Sequence, residues 1–277
     1  IRLAGEDLKK KKLVFKKGCK IRPLDLAQLC SLGVKKLKVY KKIKVGIFSS
    51  GNELIKTNSS KKKYHIYDSN KLALLSLFKQ IGCDTSDLGI IKDNFQETKK
   101  TILSSVNDYD LIITSGGIST SEIDHVGKIL NLYGKILFWK IAIKPGRPFA
   151  FGKIKKTPFI GLPGNPVAAI ITFFMLVTNY VKKLSGIQKT EFIERYLPSN
   201  FFMKKKIGRK EWLRGSLILK NKVHVLERFY TTGSGIISSL SKSDGIIELN
   251  EKATSISKGD LLKFYRYEDM LNWKYYI

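Results

Sequence analysis

Asp110-Leu111-Ile112-Ile113-Thr114-Ser115-Gly116-Gly117-Ile118-Ser119 decides how the chain is read. Leu111 to Thr114 is nearly all apolar, as a strand buried on both faces must be, and such strands belong to parallel sheets covered by helices. The run breaks at Ser115-Gly116-Gly117, where absent side chains let the backbone approach a ligand closely.

Upstream the same rhythm recurs. Val45-Gly46-Ile47-Phe48 reads as a strand that runs out into Ser49-Ser50-Gly51-Asn52-Glu53-Leu54. A helix from Ser69 to Ile81 places Leu74, Phe78 and Ile81 on one face and stops at Gly82. Thr85 to Ile91 is the next strand, followed by Asp93. Asn94-Phe95-Gln96-Glu97 has capping-box spacing and opens a helix to about Val106, and a further helix runs from about Asp124 to Leu132. Apolar strands alternating with amphipathic helices predict an α/β fold, a doubly wound, mostly parallel sheet. Ligands then bind beyond the carboxyl ends of the strands.

The flanks differ. Residues 1–40 offer a helix from Leu24 to Leu32, opened by Arg22-Pro23 and closed by Gly33, then a short strand ending near Tyr40, with too few large apolar residues for a core of their own. Beyond Lys183, short strand-like runs at Trp212 to Leu219, Val223 to Leu226, Gly245 to Leu249 and Leu261 to Tyr267 are separated by turn pairs such as Asp244-Gly245. They predict a small C-terminal β-barrel or sandwich. The expected division is a remnant segment over 1–40, an α/β domain over 41–187 and the barrel over 188–277.

The 277 residues carry 51 Lys+Arg against 23 Asp+Glu, a formal charge of +28. The excess is mostly lysine in scattered runs such as 9–12, 61–63 and 204–206, with no arginine and aromatic stripe, which predicts a solvated basic surface and no nucleic-acid partner. Cys19, Cys30 and Cys83 fit neither a disulfide framework nor a zinc site and imply a reducing, cytoplasmic setting. His65, His125 and His224 lie too far apart in sequence to form a local metal pair. The longest apolar stretch, Val167 to Val177, is interrupted by Thr172 and falls short of the roughly 20 residues of a membrane span, so no membrane partner is expected. The chain begins Ile-Arg-Leu without a leader, and sequence is expected to precede it.

Carboxylates collect at the predicted strand ends: Glu53, Asp68, Asp93, Glu122 and Asp124, close to the Ser115 to Ser119 turn. Backbone amides there suit phosphate, which bare carboxylates repel. The two make sense together if a hard cation such as Mg²⁺ takes oxygen ligands from both. Asp93 and Asp124 are equally readable as plain helix caps. In Lys144-Pro145-Gly146-Arg147-Pro148 two cations sit on a backbone stiffened by prolines, which lowers the cost of orienting them toward an oxyanion. Gly161-Leu162-Pro163-Gly164-Asn165-Pro166 then turns into a helix to about Lys183, with Asn165 as its cap and Pro166 at its first position.

Taken in order, Ala4-Gly5-Glu6-Asp7, Ser49 to Leu54, Tyr67-Asp68-Ser69-Asn70, Ser115 to Ser119, Lys144 to Pro148 and Leu162 to Pro166 resemble the motifs of the molybdopterin molybdenumtransferases, called MoeA in bacteria and matching the E domain of gephyrin. The resemblance runs along essentially the whole chain. It implies a MogA-like sheet domain, a homodimer in the full-length form, and insertion of molybdate into adenylylated molybdopterin with release of AMP and help from Mg²⁺. It implies that Asp124 and Asp93, supported by Glu53, organise the metal and the phosphoanhydride. Ser115, Gly116, Gly117 and Ser119 would cradle phosphate, with Asp68 and the Pro163, Gly164, Asn165 and Pro166 turn beside them. Lys140 and Lys144 would neutralise charge, and Arg147, with Arg209 or Arg214 and Ser234, would complete a molybdate pocket. Either Arg209 or Arg214 is also readable as a plain strand-face cation. Ser121 and Thr232 stand where the family often has glycine and glutamine. Two other readings stay open: the related adenylyltransferase, whose Thr-Gly-Gly-Thr-Gly loop is absent here, and a non-catalytic anion-binding scaffold.

Overall fold

The computed structural model describes residues 3–60, 63–118, 125–188, 191–231 and 233–272. Its larger sheet has six strands in the order Asp84–Ile91, Lys44–Ser50, Leu111–Ser115, Thr157–Leu162, Pro148–Ile154 and Gly134–Lys140. The first four are parallel, Pro148–Ile154 runs antiparallel to them, and Gly134–Lys140 pairs antiparallel with Pro148–Ile154. Side chains alternate across the pleat, so Leu111 and Ile113 enter one core and Ile112 the other. Helices Ser69–Gln80 and Pro166–Leu184 cover the first face, and Phe95–Ser105 and His125–Tyr133 the second. The doubly wound reading therefore holds, and the Asn94 side chain caps its helix as the spacing predicts, accepting from the amides of Gln96 and Glu97.

Helix Pro166–Leu184 is 19 residues long and apolar enough to cross a membrane, yet 67% of that apolar window is buried within the fold. It is a core helix. Its middle, Phe173–Val177, is a π-helical turn. Thr172, which breaks the apolar run in the sequence, turns its hydroxyl back to donate to the carbonyls of Ala168 and Ala169, so the polar group is satisfied inside the core.

The C-terminal strands form a second sheet in the order Arg195–Pro198, Leu261–Arg266, Gly245–Leu249, Lys210–Lys220 and Val223–Arg228, all antiparallel. The expected barrel is not a closed ladder. The sheet curls until its edges meet at one bridge, Ser199 to Leu226, with the Asn200 amide donating to the Leu226 carbonyl. Nor are the two sheets separate bodies. Strand Ile143–Lys144 leaves the first sheet's region and pairs in parallel with Lys210 and Glu211, while Trp212, Ile246, Tyr265 and Met270 join the core of helix Pro166–Leu184.

At the N-terminal end the helix spans Pro23–Ser31, but the strand expected near Tyr40 does not form. Val39 is 75% and Tyr40 52% exposed, and neither pairs with a strand.

Candidate functional site

The carboxyl ends of strands Lys44–Ser50, Leu111–Ser115 and Thr157–Leu162 open into a cleft of about 900 Å³ that the second sheet closes from the other side. Its walls hold carboxylates and cations together: Glu53, Asp68 and Asp93 with Lys144, Arg147 and Arg209. Ser115, Gly116, Gly117, the Pro163 to Pro166 turn and Ser234 complete the lining.

Gly116 fixes the floor. Its φ is +82°, and a Cβ there would stand 2.5 Å from the Ser50 carbonyl oxygen, so only glycine lets these two strand ends close up. Beside it the Ser50 hydroxyl donates to Asp93 Oδ1 at 3.1 Å, and Asn52 Oδ1 accepts from the Asp93 amide at 3.1 Å. Asp93 is thus held at the rim by the Ser49 to Leu54 loop, and it does not cap the next helix. Asp68 does cap one. Its Oδ1 accepts from the Lys71 amide at 3.1 Å, and the Lys71 ammonium sits 3.6 Å from Oδ2 and 2.9 Å from Asp87. Much of the Asp68 charge is therefore already balanced.

Opposite stand the cations. Gly146, with φ +105°, lies so close to the core helix that a Cβ would meet Thr172 Cγ2 at 2.3 Å. The loop carrying Lys144 and Arg147 is thereby pinned to helix Pro166–Leu184. Lys144 is not a free cation: its Nζ donates to Glu211 Oε2 at 3.3 Å, and the Glu211 side chain is 4% exposed. Arg147 and Arg209 make no ion pair among the described residues. Both are exposed at the cleft.

Arg214 lies away from the cleft. It is 2% exposed, and its guanidinium donates to Ser239 Oγ at 3.0 Å and to the carbonyls of Thr231 and Gly233 at 2.8 and 3.1 Å. Burial lowers its pKa, opposed by the nearby Tyr267. Arg214 ties down the loop that carries Ser234, whose carbonyl accepts from the Val167 amide at 3.1 Å. That bond corrects a second expectation, because it occupies the first amide of the helix. Asn165 precedes Pro166 as predicted, but its side chain makes no cap bond. Lys140 is exposed at the end of the outermost strand and does not line the cleft. Ser119 and Asp124, with Ser121, Glu122 and Thr232, lie outside the described residues.

Two residues were given no role by the sequence reading, although Asn70 stands in the Tyr67 to Asn70 motif. Asn70 donates from Nδ2 to Ser115 Oγ at 2.9 Å and to the Gly164 carbonyl at 2.7 Å, joining three cleft loops. Its signal was present, since it lies in that motif two residues after the Asp68 cap. Glu211 had none, because its partner lies 67 residues away.

Among the described residues no three His, Cys, Asp or Glu side chains gather as a metal centre. Mg²⁺ sites keep several waters and take one or two carboxylates plus substrate phosphates. Glu53 and Asp93 supply hard oxygen donors of that kind.

Residues 46–183 match a family described as the probable molybdopterin binding domain, and residues 197–267 match the MoeA C-terminal region, domain IV. A molybdopterin molybdenumtransferase of Haemophilus influenzae is 35% identical over 273 residues, 98% of this chain and 68% of that protein. A putative molybdopterin biosynthesis protein of Methanocaldococcus jannaschii is 35% identical over 94% of this chain and 64% of its own length. The crystal structure of a molybdopterin biosynthesis MoeA protein from Pyrococcus horikoshii superposes with a TM-score of 0.83 at 28% identity, covering 97% of this chain and 65% of that one. The chain thus spans about two thirds of the length of the proteins it matches.

Proposed function

The chain belongs to the MoeA family of molybdopterin biosynthesis proteins, and from that premise we propose that it inserts molybdate into adenylylated molybdopterin, releasing AMP, in molybdenum cofactor biosynthesis. The observation that carries this is the shared cleft. Arg147 and Arg209, which make no ion pair among the described residues, line the same cleft as Glu53, Asp93 and the Gly116-Gly117 turn. A substrate holding a phosphoanhydride and a second, tetrahedral oxyanion needs both sets at once.

Arg147 and Arg209 bind molybdate, with Ser234 beside them. Fixed donors in a partly enclosed cleft stabilise negative charge without reorganising during the reaction. The Ser115 to Gly117 turn brings backbone close to the phosphates. Glu53 and Asp93 would hold Mg²⁺, with Asp124 as the further ligand that the family resemblance implies. When bound, the ion neutralises phosphate oxygens and makes AMP a better leaving group. In its full-length form the protein acts as a homodimer, as the family resemblance implies, in the reducing cytoplasm that its free cysteines suit.

The test is purified protein supplied with adenylylated molybdopterin, Mg²⁺ and molybdate. AMP appears only when molybdate is present, and Asp124→Asn abolishes its release while adenylylated molybdopterin still binds. AMP release by Asp124→Asn at the wild-type rate would refute the role given to that carboxylate.

A further inference from the structure

We propose that Glu211 is a positioning and charge-setting residue for the oxyanion cleft: it holds Lys144 as an anchored, neutralised donor and leaves Arg147 and Arg209 to set anion affinity. The inference rests on the oxyanion reading above. It starts from strand register. Ile143–Lys144 pairs in parallel with Lys210–Lys220 so that Glu211 lies opposite Lys144, and the two side chains meet at 3.3 Å. Their surroundings differ sharply. The Lys144 side chain is 40% exposed toward the cleft, whereas that of Glu211 is 4% exposed.

A buried carboxylate deprived of its partner is strongly unfavourable, so Lys144 does not leave Glu211 to follow an anion. An ammonium has three donors, and one engaged with Glu211 leaves two. Lys144 therefore offers directed N–H bonds at a fixed place while the pair adds no net charge. The neighbouring strand residues reinforce the register. Lys210 pairs with Glu248 at 3.4 Å, and the Trp212 indole donates to the same carboxylate at 3.0 Å.

The experiment is calorimetric titration of the full chain with molybdate and with sulfate at several salt concentrations. Glu211→Gln frees one positive charge at the cleft and tightens both dianions roughly tenfold at low salt, the effect of one charge on a dianion about 10 Å away at an effective dielectric near 40. The gain fades above about 0.5 M salt. Glu211→Asp, which keeps the charge, stays near wild type in affinity and salt dependence. Lys144→Met weakens binding by exposing the anion to an uncompensated carboxylate, and Lys144→Met/Glu211→Gln recovers most of the loss. A purely structural Glu211 would change the melting temperature and leave the salt dependence alone. Wild-type affinity in Glu211→Gln overturns the inference, as does a double variant no better than Lys144→Met. If Lys144→Met does not fold, the comparison of Gln with Asp at position 211 decides. Binding of neither anion by the wild type overturns the cleft reading and this inference together, whereas wild-type binding that ignores Glu211→Gln overturns this inference alone.

Discussion

Replacing Arg214 by methionine separates a cation that binds substrate from one that builds the wall around it. The side chain makes three hydrogen bonds from a position 2% exposed, to Ser239 Oγ and to the carbonyls of Thr231 and Gly233. Hydrogen bonds from a charged donor contribute about 1.5–3 kcal/mol each, and removing the donor also strands its buried acceptors. Methionine fills much of the volume and abolishes the desolvation of a buried guanidinium, which offsets part of the loss. The net expectation is about 3 kcal/mol of lost stability. For a chain of this size that lowers Tm by roughly 6–12 °C. Urea unfolding followed by tryptophan fluorescence measures it, because Trp212 is buried in the core two residues away. Molybdate affinity falls less than in Arg147→Ala, since only the placement of Ser234 suffers. Stability within about 1 kcal/mol of wild type, with molybdate affinity lost as severely as in Arg147→Ala, would show that Arg214 reaches the anion and that the loop-anchoring account is wrong.

Other outcomes follow from the same geometry. Gly116→Ala forces a Cβ to 2.5 Å from the Ser50 carbonyl and costs about 2 kcal/mol or more, whereas Gly164→Ala, whose Cβ meets nothing nearer than 3.7 Å, stays within about 0.5 kcal/mol of wild type in the same urea titration. Burial pushes the Cys83 thiol up to about 12, so a disulfide reagent at pH 8 labels Cys19 and Cys30 first and Cys83 only after unfolding. Burial lowers Lys182 from 10.5 to about 8, so between those values the unfolded chain binds more protons than the folded one. Stability therefore rises with pH from about 8 to 10.5, and this component of the rise is missing from Lys182→Met when unfolding is compared at pH 7 and pH 10.

Sequence alone revealed what depends on short-range pattern. Leu111 to Ile113 could be read as a doubly buried strand because every residue is apolar, and Asn94 as a cap because its acceptor and the amides it serves lie within three residues. Gly116 stood out for the same local reason. Long-range pairing stayed hidden. Arg209 and Arg214 share a charge and a neighbourhood, and a loop near residue 231, not any nearby residue, buries one and leaves the other at the cleft. Lys140 and Lys144 are four residues apart, yet one ends the outermost strand of the first sheet while the other pairs with the second sheet. Tyr40 had the composition of a strand residue, yet it lies 52% exposed and unpaired with any strand. The curled sheet in place of a closed barrel is likewise a matter of register between distant strands.

The most direct test of the central claim is an anomalous-scattering map recorded at the molybdenum absorption edge from crystals of the protein soaked in molybdate. A single strong peak within hydrogen-bond reach of both Arg147 and Arg209, in the cleft floored by Gly116, is the predicted result. A peak on the lysine-rich outer surface with the cleft empty would contradict it.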